Sequence, residues 1–520
     1  MVAFAWLVLF SWPVVSYVIF RTYSLPMAVC ATIFGGYLLL PSVLAWDLPL
    51  LPPLDKYNVV TLSAFIWTIV ILGDKSRNHA VLPGWLPRNK VALVFLSMLI
   101  IGAFGTVLTN RDALNYGPRF LPGLQIYDAF SVAMNIFVVL LPILFARKVL
   151  YSLEGHRILL KSLIFFALAY TLPALWEVRM SPQLHTQIYG FFPSSFAQQM
   201  RDGGFRPVVF LNHGLALALF FSMAAIGAAG MMRDAKGQVR LLWALAGLWL
   251  LAVIVLTKSL GPLLIVMVLL PITLFVKPRL QLLVCASIAV LVMSYPILRA
   301  ADVVPLDGFL TWVEDINPHR AKSLETRIEN EEALLEKAKE RQVFGWGGWG
   351  RNRVYNEDGY NLSITDGSWI VEMGQGGWFR YLPVFGLLCW PVLATFLTSR
   401  CRRPEPVTVA LALVLSAKLV DLIPNSGYPP FVWLLAGALL GRLEAGALVE
   451  ERRKAEPLPQ ADYQRDPTKI GVKTQKPHAA YARTFDVKGR ENGPGQAGKR
   501  DAGRRQPSYK RFWLTMGYRR

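Results

Sequence analysis

The cations of this chain stand beside apolar runs. In QQMRDGGFRPVVFLNHGLALALF (198–220), Arg201 and Arg206 flank Gly203 and Gly204 immediately ahead of a hydrophobic stretch. The glycines leave the backbone free to turn both guanidinium groups toward one ligand. Asn212, His213 and Gly214 follow inside the apolar run, a depth at which polar groups face a bundle interior or cavity by default. Lys258 stands in LTKSLGPLL, between two further apolar runs, and Arg327 in KSLETRIENEEALLEKAKERQ (322–342). That stretch has helical spacing in Leu324, Ile328, Leu335 and Ala338, with Ser323 as a cap and Lys337, Lys339 and Arg341 at the C-terminal end of the dipole. Arg327 near the first turn of such a helix would suit phosphate, because free N–H groups and a guanidinium fork both match its oxygens. Competing readings stand beside these. Arg327 can pair with Glu331 at i, i+4, Arg201, Arg206 and Lys258 can reach lipid headgroups, and His213 can bond a neighbouring helix.

The elements that must position these residues are membrane spans. The chain has 520 residues, 54% of them hydrophobic, and a mean hydropathy of +0.39. Thirteen runs of spanning length are expected, near 3–20, 25–46, 57–73, 91–108, 127–146, 158–176, 208–230, 240–256, 261–276, 280–298, 377–398, 407–423 and 429–445. The fold class is thus an all-α polytopic membrane protein of about 13 transmembrane helices. The first run lacks a basic flank and is followed at once by a second, so no cleaved signal peptide is expected. Lys and Arg collect in alternate connections, which places the N-terminus outside and the C-terminal tail inside. Segments 177–207 and 299–376 then face outward. The larger loop carries a net charge of about −5 and the tail from 446 about +10, out of +20 for the chain. Three regions follow: a transmembrane bundle over 1–446, the loop 299–376 inserted between spans and holding the one predicted outer helix, and a basic, disordered tail over 447–520. The basic balance is directed at anionic membrane lipids beneath the inner leaflet, and no nucleic acid is expected as a partner. The closing YKRFWLTMGYRR interleaves aromatics with cations, a pattern suited to the membrane interface.

Cys30, Cys285, Cys389 and Cys401 form no C-x-x-C pair, and the six histidines are dispersed. Neither a disulfide framework nor a metal site is expected. Metalloprotease, P-loop and nucleophile-elbow signatures are absent.

The most patterned polar segment is FGWGGWGRNRVYNEDGYNLSITDGSWIVEMGQGGWFRYLP (344–383), which runs straight back into the membrane. Taken in order, GFRPVVFLNHGLALALF, LTKSLGPLL, SLETRIENEEALL, FGWGGWGRN and TDGSWIVEMGQGGW resemble the O-antigen polymerase/ligase superfamily, particularly its exopolysaccharide-polymerisation members. The resemblance covers about residues 177–400. It implies a GT-C-like helical bundle in the bacterial inner membrane, with the N-terminus and large loop periplasmic and the C-terminus cytoplasmic. It further implies a glycosyltransferase that takes glycan from a polyprenyl pyrophosphate and joins it to an acceptor glycan, with no cofactor and no obligatory metal. Other polysaccharide assembly or export proteins are implied as partners.

That chemistry needs cations on the departing pyrophosphate and a group to take the acceptor's proton. The leaving-group set is Arg201, Arg206 and Arg327, with Lys258 and Arg351 behind them and His213 facing the site. Where family ligases offer a histidine, this chain has Asp366 in Thr365-Asp366-Gly367-Ser368, which makes Asp366 the candidate base and Glu372 its competitor. Asp366 can equally cap the next helix or form an Asx turn with Gly367. Among the loop aromatics Trp349 and Trp369 are candidates for stacking on sugar, the rest for anchoring. Gly345, Gly347, Gly348 and Gly350 suit tight turns more than a phosphate cradle. The resulting expectation is a polymerase of lipid-linked repeat units. A ligase to a lipid or protein acceptor is the alternative within the family. A lipid or glycan transporter or flippase is the alternative outside it, with Lys418 and Asp421 as its nearest intramembrane pair, although i, i+3 spacing lets them neutralise each other.

Overall fold

A computed structural model of the protein describes residues 1–48, 51–74, 79–201, 203–303, 308, 310–311, 314–315, 318–401 and 403–455. Contacts divide the chain into Met1–Val449 and Glu450–Arg520. The tail beyond 455, with its aromatic and basic end, lies outside the described residues.

Among the described residues the chain is mostly helical. Ten helices are long and apolar enough to cross a membrane: α1 (Val2–Thr22), α3 (Lys56–Gly73), α4 (Lys90–Leu108), α5 (Ile126–Val149), α6 (Leu153–Met180), α8 (Gly214–Asp234), α9 (Gly237–Leu256), α11 (Pro278–Ala300), α14 (Trp378–Thr398) and α16 (Pro430–Ala455). This is a multi-pass membrane protein. The other three expected spans are helices too, but short: α2 (Leu25–Leu39, 15 residues), α10 (Leu260–Phe275, 16 residues) and α15 (Pro406–Asp421, 16 residues). Two expected boundaries move for local reasons. The run expected over 25–46 stops at Leu39, because Leu40 precedes Pro41 and takes an extended ψ of 150°. The run expected from 208 becomes helical only at Gly214, where His213 caps it.

The interior is organised around α15, which is buried from Val407 through Leu419. At about 1.5 Å per residue it is some 24 Å long, less than a hydrocarbon core of about 30 Å. Enclosed by α6, α8, α10 and α11, it need not reach either surface. Helices α1 and α9 bury only 22% of their spanning windows and form part of the lipid-facing rim.

Helices α8 and α15 run antiparallel, with Gly230 against Ala410 and Gly227 against Val414. Their register defines two ends. Toward one lie Arg157 paired with Asp234 and Arg442 with Glu405. Glu444 there pairs with Arg147 and accepts from the Arg88 and Asn89 backbones. These connections are the ones whose Lys and Arg content groups them on one side. The start of α8 and the end of α15 mark the other end.

Outside the spans, the described residues also form α7 (Leu184–Tyr189), α12 (Pro318–Glu340) and α13 (Ser368–Gly376) and a 3-10 turn at Phe196–Gln199. Among the described residues three two-stranded antiparallel ribbons join them: β1 (Ala45–Trp46) with β2 (Leu54–Asp55), β3 (Leu114–Tyr116) with β4 (Arg119–Leu121), and β5 (Met200–Arg201) with β6 (Gly204–Phe205).

Candidate functional site

The segment from Arg206 to His213 enters the bundle without helical hydrogen bonds, so buried side chains must satisfy its backbone. Glu177, near the end of α6 and 1% exposed, accepts from Val208 N and Val209 N at 2.7 Å each and from Leu184 N at 3.0 Å. Tyr170 Oη accepts from Phe210 N at 3.0 Å. Phe210 O accepts from Ser42 Oγ at 2.6 Å and from Lys56 Nζ at 2.9 Å. Behind Ser42 stands His185, 1% exposed. Its Nε2 faces Ser42 N at 3.2 Å and its Nδ1 faces Phe191 O at 2.7 Å. Those partners assign the neutral tautomer with the proton on Nδ1. Burial holds this imidazole down at about 4.

On that clamp sit the first cations. Arg206 is buried, its Nη2 donating to Lys258 O at 3.4 Å. Its side chain lies across Gly214, where any Cβ would stand 2.2 Å from Arg206 Cγ. The Lys258 side chain folds over Gly204. The structure therefore brings Arg206 and Lys258 together, 52 residues apart in sequence. Arg201 lies in β5 opposite Gly204, and its side chain lies outside the described part of the structure. His213 Nδ1 accepts from Leu215 N at 3.1 Å, so one ring nitrogen serves as the cap of α8.

The glycine-tryptophan loop has a different task from the cations. Helices α13 and α14 are separated by a break at Gly377 (φ 58°) that would leave carbonyls and N–H groups unpaired. Residues 342–347 supply the partners. Trp346 N and Gly347 N donate to Gly374 O and Gln375 O, while Gln342 O and Val343 O accept from Trp378 N and Phe379 N. Gly345 is required there, because a Cβ on it would stand 2.5 Å from Gly376 N. Arg351 belongs to this scaffold, which corrects the expectation that it supports a leaving group. It is 1% exposed and donates from Nε to Trp346 O and from Nη1 to Pro122 O, with Asp112 at 3.7 Å. Buried between Trp346 O of the loop and Pro122 O of the α4–α5 connection, this guanidinium presents no open fork to phosphate. Trp369 is corrected as well. It is fully buried, its ring packed edge-on to Tyr295 and its Nε1 donating to Glu331, so no sugar reaches it. Trp349 remains open, 59% exposed.

Arg327 and Asp366 meet. Nε lies 3.2 Å from Oδ2, and the two side chains are 41% and 39% exposed. Neither competing reading for these residues holds. Arg327 is not paired with Glu331, whose carboxylate takes Arg299 Nε, Tyr295 Oη and Trp369 Nε1 at 3.3 Å each. Asp366 does not cap α13, whose N-cap is Gly367 without a side-chain bond. The helix α12 also begins earlier than expected, at Pro318, so Ser323 is interior and Arg327 lies in the third turn. The dipole argument for phosphate at Arg327 therefore falls, and what remains is the guanidinium itself. Glu372, the competitor to Asp366, is buried and bound at 2.5 Å by Arg380 Nε. Of the two acids, Asp366 alone presents its carboxylate to the surroundings.

Both groups lie toward the same end of the bundle. Continuing the α8/α15 register from Gly230 and Ala410 places Asp421 near Phe220, within two turns of His213. The segment following Asp366 hangs on that end of α15, with Ser368 N donating to Leu422 O and Asn425 O. Lys418 and Asp421 close on each other at 2.8 Å, with Asn425 on the second carboxylate oxygen.

Sequence reading missed the clamp residues Tyr170, Glu177, Lys56 and Ser42, and the partly buried acid Glu331. A signal existed for Glu177, an acid placed just past the expected end of a span. For Glu331 there was only its position four residues after Arg327. Burial pushes the Glu331 carboxyl above its ordinary range, opposed by the bonds from Trp369, Arg299 and Tyr295. Among the described residues no group of three or more His, Cys, Asp or Glu side chains is placed to hold a metal ion. No protein-family model and no curated protein matches the chain.

Proposed function

We propose that the protein is a membrane glycosyltransferase that polymerises polyprenyl-pyrophosphate-linked oligosaccharide units. In this reading the bundle is GT-C-like with all thirteen apolar helices counted as spans, and the site faces the periplasm from a bacterial inner membrane. The single observation that carries the reading is the half-exposed Arg327–Asp366 pair, a guanidinium and a carboxylate 3.2 Å apart where the chain re-enters the bundle. In the reaction, the bond from the donor sugar's anomeric carbon to the pyrophosphate breaks and its electron pair leaves with the phosphate. The acceptor hydroxyl oxygen forms the new bond to that carbon, and its proton passes to Asp366. Arg327 stabilises the negative charge that develops on the leaving pyrophosphate, and Arg206 with Lys258 supplies further cationic character on the same side.

The test is incubation of the purified protein in lipid with one lipid-linked repeat unit, followed by sizing of the glycan. A ladder of products supports a polymerase. A single transfer to a foreign lipid or protein acceptor assigns a ligase instead, and no transfer in either format rejects the enzyme reading. Labelling from outside the cell tests orientation: a cysteine introduced at Glu357 is expected to react and one at Gly495 is not.

A further inference from the structure

Residues 362–367, which carry Asp366, belong to no helix or strand. The Arg327–Asp366 ion pair is about 40% exposed on both sides, and a pair so open to solvent is too weak to order a stretch of irregular backbone. The carboxylate therefore needs other contacts to hold it opposite the guanidinium.

The helix that carries Arg327 supplies them. Arg327, Asn330 and Glu331 stand at i, i+3 and i+4 and share one face of α12. Asn330 Oδ1 accepts from Ile364 N at 2.8 Å, two residues before Asp366, and its Nδ2 donates to Thr326 O at 2.6 Å. The second bond orients the amide: with Nδ2 committed to a carbonyl of its own helix, Oδ1 is the edge that faces the segment. Three residues after Asp366, Trp369 Nε1 donates to Glu331 at 3.3 Å, and Glu331 is held in turn by Arg299 Nε and Tyr295 Oη of α11. Between these two bonds the chain lies against the end of α15, where a Cβ on Gly367 would stand 2.3 Å from Ile423 O. Asp366 is thus bracketed, before and after, by side chains one turn along from Arg327 itself. A slip of one residue, about 3.3 Å in extended backbone, would break both brackets and carry the carboxylate away from Arg327 Nε.

The two brackets differ in what else they do. Glu331 gathers three donors and belongs to the packing between α11, α12 and α13. Asn330 sits inside a helix of 23 residues, where its type is unfavourable because the amide competes for backbone groups. Its visible use is the bond to Ile364.

We propose that Asn330 is a positioning residue for glycan transfer: it holds Ile364 so that Asp366 meets Arg327, and it acts through Asp366 rather than on the substrates. The assignment rests on the transferase reading of that pair.

The test uses the full chain in lipid with one lipid-linked repeat unit, and initial extension rates measured over a range of donor concentration. Asn330→Leu removes the acceptor with little change in size and improves helix propensity, so its unfolding transition should lie no lower than that of wild type. Its kcat is expected to fall about 10- to 100-fold, the scale of misplacing a reacting group by about 1 Å, while the donor KM changes by less than about twofold. A purely structural role is separated by the double variant: adding Asn330→Leu to Asp366→Asn should lower the residual rate by less than about twofold, because the residue acts through a base already removed. Hydrogen exchange over 362–369 needs no substrate, and should be at least about fivefold faster in Asn330→Leu. Asn330→Ala carries the same expectations and stands in if the leucine variant does not fold. Wild-type kcat in a folded Asn330 variant, a full multiplicative loss in the double variant, or unchanged exchange each overturns the assignment and leaves the transferase reading intact. Wild-type protein that makes no glycan rejects the transferase reading itself, and this assignment with it.

Discussion

Replacing Asp366 by Asn separates catalysis from folding more cleanly than any other single change at the site. The Arg327–Asp366 pair is about 40% exposed on both sides, and exposed ion pairs contribute only about 0–1 kcal/mol to stability. Asn keeps the size and can still accept a hydrogen bond from Arg327, so thermal unfolding in detergent should shift by less than about 1 kcal/mol. Activity should respond on a different scale. An amide cannot take the acceptor's proton, and loss of a positioned general base costs about 100- to 10,000-fold in rate, equivalent to about 3–5 kcal/mol in the barrier. The assay is initial rate of glycan extension in the lipid format, with protein amount and monodispersity matched to wild type. Glu372→Gln is the control. Glu372 is buried and takes Arg380 Nε, so its neutralisation should cost about 1–3 kcal/mol of stability, with turnover falling no further than the folded fraction. The reasoning is refuted if Asp366→Asn extends glycan at the wild-type rate, or if Glu372→Gln is fully folded and inactive, which would move the base to Glu372.

Arg206→Lys and Arg327→Lys keep the charge but lose the planar fork, and each should lower turnover by about 30- to 1,000-fold with abundance unchanged; full activity of both in the same assay would remove them from the leaving-group role. Arg351→Lys should instead reduce thermal stability, because the bonds to Trp346 O and Pro122 O hold the glycine-tryptophan loop; a stable variant with a purely kinetic defect would contradict that assignment. Glu177→Ala leaves the buried amides of Val208 and Val209 and the part-buried amide of Leu184 without an acceptor, and at about 1–3 kcal/mol for each buried one the amides of Val208 and Val209 should exchange roughly 5- to 150-fold faster by hydrogen-exchange mass spectrometry. Unchanged protection there would show that the clamp is not what orders the segment. His185 is held neutral, at about 4 against an ordinary value of 6.5. Between these values the unfolded chain binds a proton that the folded chain does not, so stability should fall as pH drops from about 6.5 to 4, by up to about 3 kcal/mol. Equal unfolding temperatures of wild type and His185→Gln relative to pH 7 across that window would refute it.

The ten long apolar helices of the described residues were readable from residues alone, because an apolar run of about 20 residues placed in hydrocarbon has no alternative to satisfying its own backbone. Helix ends were less readable. Pro41 after Leu40 is a local stop, whereas the late start of α8 depends on Glu177, Tyr170 and Lys56 accepting and donating to a segment that belongs to no helix. The loop's glycines were recognised as turn formers, but that they close a helix break 30 residues downstream follows only from packing. Side-chain partnership was the least legible level. Helical spacing offers Arg327 its i, i+4 neighbour Glu331, a local contact available to any isolated helix. Tertiary structure instead gives Arg327 to Asp366 and turns Glu331 toward Arg299, Tyr295 and Trp369. Which way a side chain on α12 points is decided by what packs against each face, and those faces come from α11 and α13. Composition and periodicity determine where a chain must be helical and apolar; which charged groups meet depends on contacts between residues far apart in sequence, where burial makes an unpaired polar group costly enough to select one arrangement.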